Sequence, residues 1–145
     1  MLTYQDYHTN PINKAIHAIC IPLIVITTIN ILSTIKVKFT SSKYFLEMTL
    51  AEVLTYYMSV MYYFNYGLYI YAYMCIYLFI ANNISWMWGL HPKFFNQSLL
   101  VFTISWIAQF IGHYIEGNRP ALFTSISQAF LEAPLFSLNY IVPIM

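Results

Sequence analysis

The chain has 145 residues, 60% of them hydrophobic and 8% charged, with six Lys and Arg against five Asp and Glu. An average soluble domain carries roughly 25% charged residues, so a water-facing globule is excluded: this chain has too few charges to cover one. A net charge of +1, spread over scattered basic residues, leaves no stripe to neutralise a phosphate backbone and argues against nucleic acid as a partner. The length fits one domain, residues 1–145. Residues 15–35, 53–92 and 94–115 carry no formal charge, and each stretch is near or above the roughly 20 apolar residues that a spanning helix needs. The expected class is all-α, a polytopic helical membrane protein of four to five apolar helices.

The opening, MLTYQDYHTNPINK, has no basic region leading into a short apolar core, so the first apolar segment is expected to stay as a membrane helix. Asn10-Pro11 is a helix-start signal, because Asn caps free amides and Pro at the first helical position lacks only an N–H that would go unpaired there. The first helix is expected from about Pro11 to about Ile35. Pro22 kinks it and frees a carbonyl that a neighbour has to satisfy. Residues 36–44 are a basic connector. A second segment runs from about Phe45 to Phe64, Asn65-Tyr66-Gly67 forms a tight turn, and a third segment runs from Leu68 to Ala81. Nine tyrosines between Tyr56 and Tyr77 exceed what an interfacial belt needs and read as packing residues. Residues 82–97 form a connector, and Ser98 to Tyr114 is the fourth segment. The last stretch, Ala121 to Val142, is interrupted by Pro134 and either spans the bilayer or folds back as a re-entrant hairpin. Cys20 and Cys75 have no paired framework and read as small buried apolar residues.

Four crossings bring the N-terminal residues and the end of the fourth segment to one side of the membrane. His8, His17, His113, Glu116 and Arg119 then share a face, and His91 takes the other. Asn13 and His17 are four residues apart, as are Gln109 and His113, with Glu116 a turn further on; each set lies on one helix stripe. An imidazole with a carboxylate one turn later can clasp a metal ion, and two or three histidines with one carboxylate and open positions suit a non-haem ferrous centre. A plainer arrangement competes with this, in which His113 and Glu116 form an interfacial hydrogen-bonded pair and Arg119 snorkels to headgroups. An ionisable group at the centre of a membrane helix costs ~2.5–3.5 kcal/mol on insertion scales, which favours a functional use for a cluster of them. Four dispersed histidines cannot fill the clustered boxes of a two-iron desaturase, and HExxH, GxSxG and a phosphate-binding glycine loop are absent. One mononuclear site, or none, remains. The alternatives are a metal-dependent lipid hydrolase or carrier, and a non-catalytic membrane protein that binds lipid or a partner helix.

The elements Tyr7-His8, Asn13-x-x-x-His17 with Pro22 downstream, Trp106-x-x-Gln109-Phe110-x-Gly112-His113-x-x-Glu116-x-x-Arg119-Pro120-Ala121-Leu122, and Ala133-Pro134-Leu135-Phe136 go further than spacing. Together they resemble the fungal and bacterial family of small multi-pass membrane proteins to which the yeast iron-dependent 2-hydroxy fatty acid dioxygenase belongs. The likeness follows nearly the whole chain in order, and its specific part is residues 109–122. It implies an Fe(2+)- and oxygen-dependent removal of C1 from a 2-hydroxy fatty acid, an α-oxidation step in phytosphingosine breakdown at the endoplasmic reticulum membrane. It also implies His8, His17 and His113 as iron ligands. Within that scheme Glu116 is a fourth ligand or an outer partner of a histidine, Arg119 is a fork for the substrate carboxylate, and Asn13 and Gln109 hydrogen-bond within the site. Two positions depart from the family's pattern: Ile115 stands where an aromatic residue is expected, and Asn139 where an acid is often found.

Overall fold

The computed structural model describes residues 8–40, 45–117 and 126–143. In chain order it contains helix α1 (Pro11–Leu32), strands β1 (Lys36–Thr40) and β2 (Phe45–Thr49), and helices α2 (Leu50–Gly89), α3 (Phe94–Glu116) and α4 (Ile126–Ile141). The architecture is mainly helical, and α1, α2 and α3 are long and apolar enough to cross a membrane. Two compact units divide at residues 25/26 and 99/100, so that α1 and α3 contribute residues to both.

In the unit formed by residues 26–99, a small antiparallel sheet corrects the all-α expectation. Its register sets Lys36 opposite Thr49 and Lys38 opposite Glu47. Lys36, Lys38 and Thr40 fall on one face of β1 and Val37 and Phe39 on the other, the period-2 alternation of a strand. Glu47 holds Lys36 at 2.8 Å and Lys38 at 3.8 Å, and its carboxylate raises the pKa of the Lys36 ammonium. Thr49 then ends the strand and caps α2. The Glu52 N–H donates to Thr49 Oγ1 at 3.2 Å, and the Thr49 N–H donates back to Glu52 Oε2 at 2.6 Å, a reciprocal capping box. The helix therefore starts at Leu50 rather than near Phe45.

A straight helix of 40 residues would measure about 60 Å, twice the ~30 Å of a bilayer core. Gly67 breaks it, with φ 78° and ψ 176°, at the turn expected from Asn65-Tyr66-Gly67. The arms, 50–66 and 68–89, meet where Asn82 Nδ2 donates to Thr55 Oγ1 at 3.4 Å and where the rings of Tyr63 and Tyr71 lie 5.6 Å apart. Ala51, Met58 and Tyr62 are buried on the first arm and Ile70, Met74, Leu78, Ala81 and Ser85 on the second, at the three- and four-residue spacing of a packed helix face. The second arm passes the expected end at Ala81. Asn82 and Asn83 donate to the carbonyls of Leu78 and Phe79 at 2.8 and 2.7 Å, so their amides are satisfied on the helix and do not terminate it. The connector shrinks to residues 90–93, and α3 begins at Phe94. Buried Asn30 joins three elements: Nδ2 donates to Ser98 Oγ at 2.9 Å, and Oδ1 accepts from Ser85 Oγ at 2.6 Å.

The other unit is built from the first part of α1, most of α3, and α4. Asn10 caps α1 as its chemistry predicts, with Oδ1 accepting from the Ile12 N–H at 2.9 Å. Pro22 lies inside α1, and because proline has no N–H the carbonyl four residues earlier, at Ala18, loses its helical donor. Ser137 Oγ on α4 donates to that carbonyl at 3.3 Å. Helix α4 runs on through Pro134; its 16 residues rise about 24 Å.

Candidate metal centre

His17 sits one turn after Asn13 on α1. Its Nδ1 lies 3.0 Å from the Asn13 carbonyl oxygen, and since a carbonyl only accepts, Nδ1 carries the proton. The lone pair is thereby assigned to Nε2, which faces His113 Nε2 at 3.2 Å. His8 comes from the residues that precede α1. The three imidazoles are 1%, 0% and 6% exposed for His8, His17 and His113. Ring centroids lie 4.4, 5.0 and 4.8 Å apart, with interplanar angles of 69°, 64° and 88°, so the rings converge edge-on and do not stack. Phe136 of α4 packs on His8 at 5.0 Å between centroids.

Each histidine offers a ligand nitrogen, and the three nitrogens lie within 4.8 Å of one another. Two imidazole nitrogens on one first-row divalent metal, at about 2.1 Å each, are about 2.9–3.4 Å apart. The 3.2 Å between His17 and His113 falls in that range. Without a cation, one of these Nε2 atoms has to be a donor. If it is His113, its Nδ1 is left as a bare acceptor, and that atom is buried with no hydrogen-bond partner among the described residues. With both lone pairs directed inward a cation between them would satisfy both, and His113 Nδ1 is then a protonated donor that the described residues likewise leave unpartnered. What favours a metal is the 3.2 Å separation and the convergence of three nitrogens. The donor set therefore fits a metal ion, and neutral nitrogen ligands with open positions suit a first-row transition metal.

The other expected site residues fall as follows. Asn13 is fully buried; Nδ2 donates to Glu116 Oε2 at 3.1 Å, and Oδ1 presses on Gly112, where an added Cβ would overlap it. Gln109 is buried one turn before His113, and its Nε2 has no hydrogen-bond partner among the described residues. Glu116 does not join the histidine group; its oxygens accept from Thr9, Asn10 and Asn13. Arg119 lies outside the described residues, as do Tyr7, Pro120, Ala121 and Leu122. His91 is exposed in the connector between α2 and α3, with its Nδ1 accepting from the Lys93 N–H. Sequence reasoning did not single out Thr9 or Ser137, and gave Gly112 no role of its own. Only Gly112 left a signal, as a glycine inside a helix beside a functional residue.

Fold and site together define a mainly helical protein with spanning-length helices and a buried tris-histidine cluster. The chain belongs to the Mpo1-like family, whose model, described as 2-hydroxy-palmitic acid dioxygenase Mpo1-like, matches residues 1–144. It is 32% identical over 137 residues to the 2-hydroxy-palmitic acid dioxygenase MPO1 of Saccharomyces cerevisiae, an alignment that covers 92% of this chain and 72% of the yeast protein. No solved structure gives a significant match.

Proposed function

We propose that this chain is a ferrous-iron-dependent dioxygenase of the membrane, at the endoplasmic reticulum in a eukaryotic host, that removes C1 from 2-hydroxy fatty acids in sphingoid-base breakdown. The observation that carries the proposal is the convergence of His8, His17 and His113, buried, with their nitrogens within 4.8 Å. These residues would hold Fe(2+), which when bound supplies the electron-transfer chemistry that dioxygen needs to react with a closed-shell acid. The overall balance calls for no external reductant: R–CHOH–COOH and O2 give R–COOH, CO2 and H2O. The C1–C2 bond breaks, and all four electrons taken up by oxygen come from the substrate.

The chain's own groups have separate tasks. Asn13 fixes the His17 tautomer through its carbonyl, the kind of outer-sphere partner that raises ligand basicity. The unpartnered amide of Gln109 can donate to the hydroxyl or carboxylate of a 2-hydroxy acid, and Arg119 supplies a guanidinium fork for the same carboxylate. Burial excludes water from the histidines, while the apolar helices offer the acyl tail a medium like its own.

The deciding experiment is anaerobic reconstitution of wild type and His113→Ala with ferrous iron, followed by oxygen and 2-hydroxypalmitate and assay of pentadecanoate. Product is expected from wild type alone. No product, with iron bound by neither protein, would overturn the reading in favour of a non-catalytic lipid- or helix-binding protein.

A further inference from the structure

Two of the three imidazoles ride on long helices and one does not: His17 is carried by α1 and His113 by α3, whereas His8 precedes α1. The segment that presents His8 is fastened by a carboxylate from the far end of α3. Glu116 Oε1 accepts from the Thr9 N–H at 2.8 Å and from the Thr9 hydroxyl. The Asn10 N–H is shared between Oε1 at 3.0 Å and Oε2 at 2.9 Å, and Asn13 Nδ2 donates to Oε2 at 3.1 Å. A carboxylate offers about four lone-pair sites, and these contacts occupy them. The negative charge also sits at the start of α1, where the free amides of a helix favour it. Sequence spacing alone leaves Glu116 a choice between binding metal and orienting a ligand; the donors around it remove the first option.

We infer that Glu116 is a latch for the third ligand, not a ligand itself: it ties Thr9 and Asn10 to α3 and so holds the adjacent His8 in reach of His17 and His113. This rests on the metal-centre reading above. Glu116 is thus a positioning residue. Neutralising it as Glu116→Gln keeps its size but turns one oxygen into a donor facing the Asn10 and Asn13 N–H groups, which loosens the segment.

The test uses the full chain in lipid nanodiscs, with Co(2+) as the metal probe and amide hydrogen exchange at Thr9 and Asn10 as a readout that needs no metal. Glu116→Gln is expected to weaken Co(2+) binding by about 10- to 100-fold, the usual range for outer-sphere partners, and to speed exchange at both amides. Because the latch acts through His8, the same substitution in a His8→Ala background is expected to cost no more than about twofold, a strong departure from additivity. Thr9→Val, which removes a single donor and leaves the carboxylate, is expected to weaken binding several-fold, and it carries the test if Glu116→Gln does not fold. Losses that multiply in the double variant would overturn the latch, as would unchanged exchange at Thr9 and Asn10. A wild type that binds no Co(2+) would sink the metal reading instead, with the exchange arm still deciding whether Glu116 holds this segment.

Discussion

Replacing Gly112 by alanine tests whether the spacing of two helices sets the spacing of two ligands. Gly112 precedes His113, and a Cβ there would overlap Asn13 Oδ1, with Asn13 Cγ at 3.4 Å and Ile16 Cδ1 at 3.5 Å. The isoleucine methyl can rotate away. The Asn13 amide is fully buried and tied through Nδ2 to Glu116 at 3.1 Å, while the backbone that carries it accepts from His17 at 3.0 Å. Relief therefore comes from α1 and α3 separating at this point by about 0.5–1 Å, against an overpacking cost of about 1–3 kcal/mol. The ligand geometry has little slack. Nitrogens 3.2 Å apart on bonds of about 2.1 Å subtend about 100° at a metal. At about 4.2 Å they stand on opposite sides of it, leaving no shared face for His8. Metal affinity should fall about 10- to 100-fold, the equivalent of that cost. The helix itself gains about 1 kcal/mol from Gly→Ala, so the net loss of unfolding free energy should be about 0–2 kcal/mol. Co(2+) titration beside thermal unfolding measures both. Wild-type affinity in Gly112→Ala would refute the reasoning. Partial recovery in Gly112→Ala with Asn13→Ala, where the new methyl enters vacated space, would localise the effect to this contact.

Two further substitutions test the scaffold. Gly67→Ala meets no atom within 4 Å, yet Gly67 has φ 78° and ψ 176°, a region essentially restricted to glycine; a loss of about 1–3 kcal/mol in unfolding free energy is expected from backbone strain alone. Ser137→Ala removes the donor to the Ala18 carbonyl and should cost about 1 kcal/mol. In a Pro22→Ala background, where a backbone N–H returns to that carbonyl, the cost should shrink toward zero, and an undiminished cost would disprove the account of the freed carbonyl.

What the sequence made legible was whatever depends on local chemistry. Asn10-Pro11 announced the start of α1 because capping is decided within a turn, and Asn65-Tyr66-Gly67 announced the break in α2 because glycine has few other uses inside an apolar run. Lys36-Val37-Lys38-Phe39-Thr40 carried a strand's alternation, and Thr49-x-x-Glu52 carried a capping box, but an apolar segment starting at Phe45 concealed both. Polar residues at 82–85 suggested a connector because their partners, Leu78, Phe79 and Asn30, include contacts that no local pattern displays. At the site, helical spacing put Asn13 with His17 and Gln109 with His113. The 3.2 Å approach of two imidazoles 96 residues apart, and the attachment of Glu116 to Thr9 107 residues away, arise only when α1 and α3 pack.

The way polar groups are satisfied separates scaffold from site. In an apolar medium a buried amide without a partner costs about 1–3 kcal/mol, so a structural amide should be saturated and one that awaits a ligand should not. Asn30 is saturated, bonded at both Nδ2 and Oδ1. Gln109, 7% exposed, leaves Nε2 with no hydrogen-bond partner among the described residues. Replacing each by leucine should therefore act in opposite ways. Asn30→Leu strands the hydroxyls of Ser85 and Ser98 and should lower unfolding free energy by about 1–3 kcal/mol. Gln109→Leu removes an unsatisfied amide and should leave stability unchanged or raise it by about 1 kcal/mol, while KM for a 2-hydroxy fatty acid rises about tenfold for the loss of one donor to the substrate. The comparison needs only thermal unfolding and a substrate titration on the same preparations. Equal destabilisation by both substitutions, with KM unmoved by Gln109→Leu, would make Gln109 another element of the scaffold and leave the substrate's polar end to be held elsewhere.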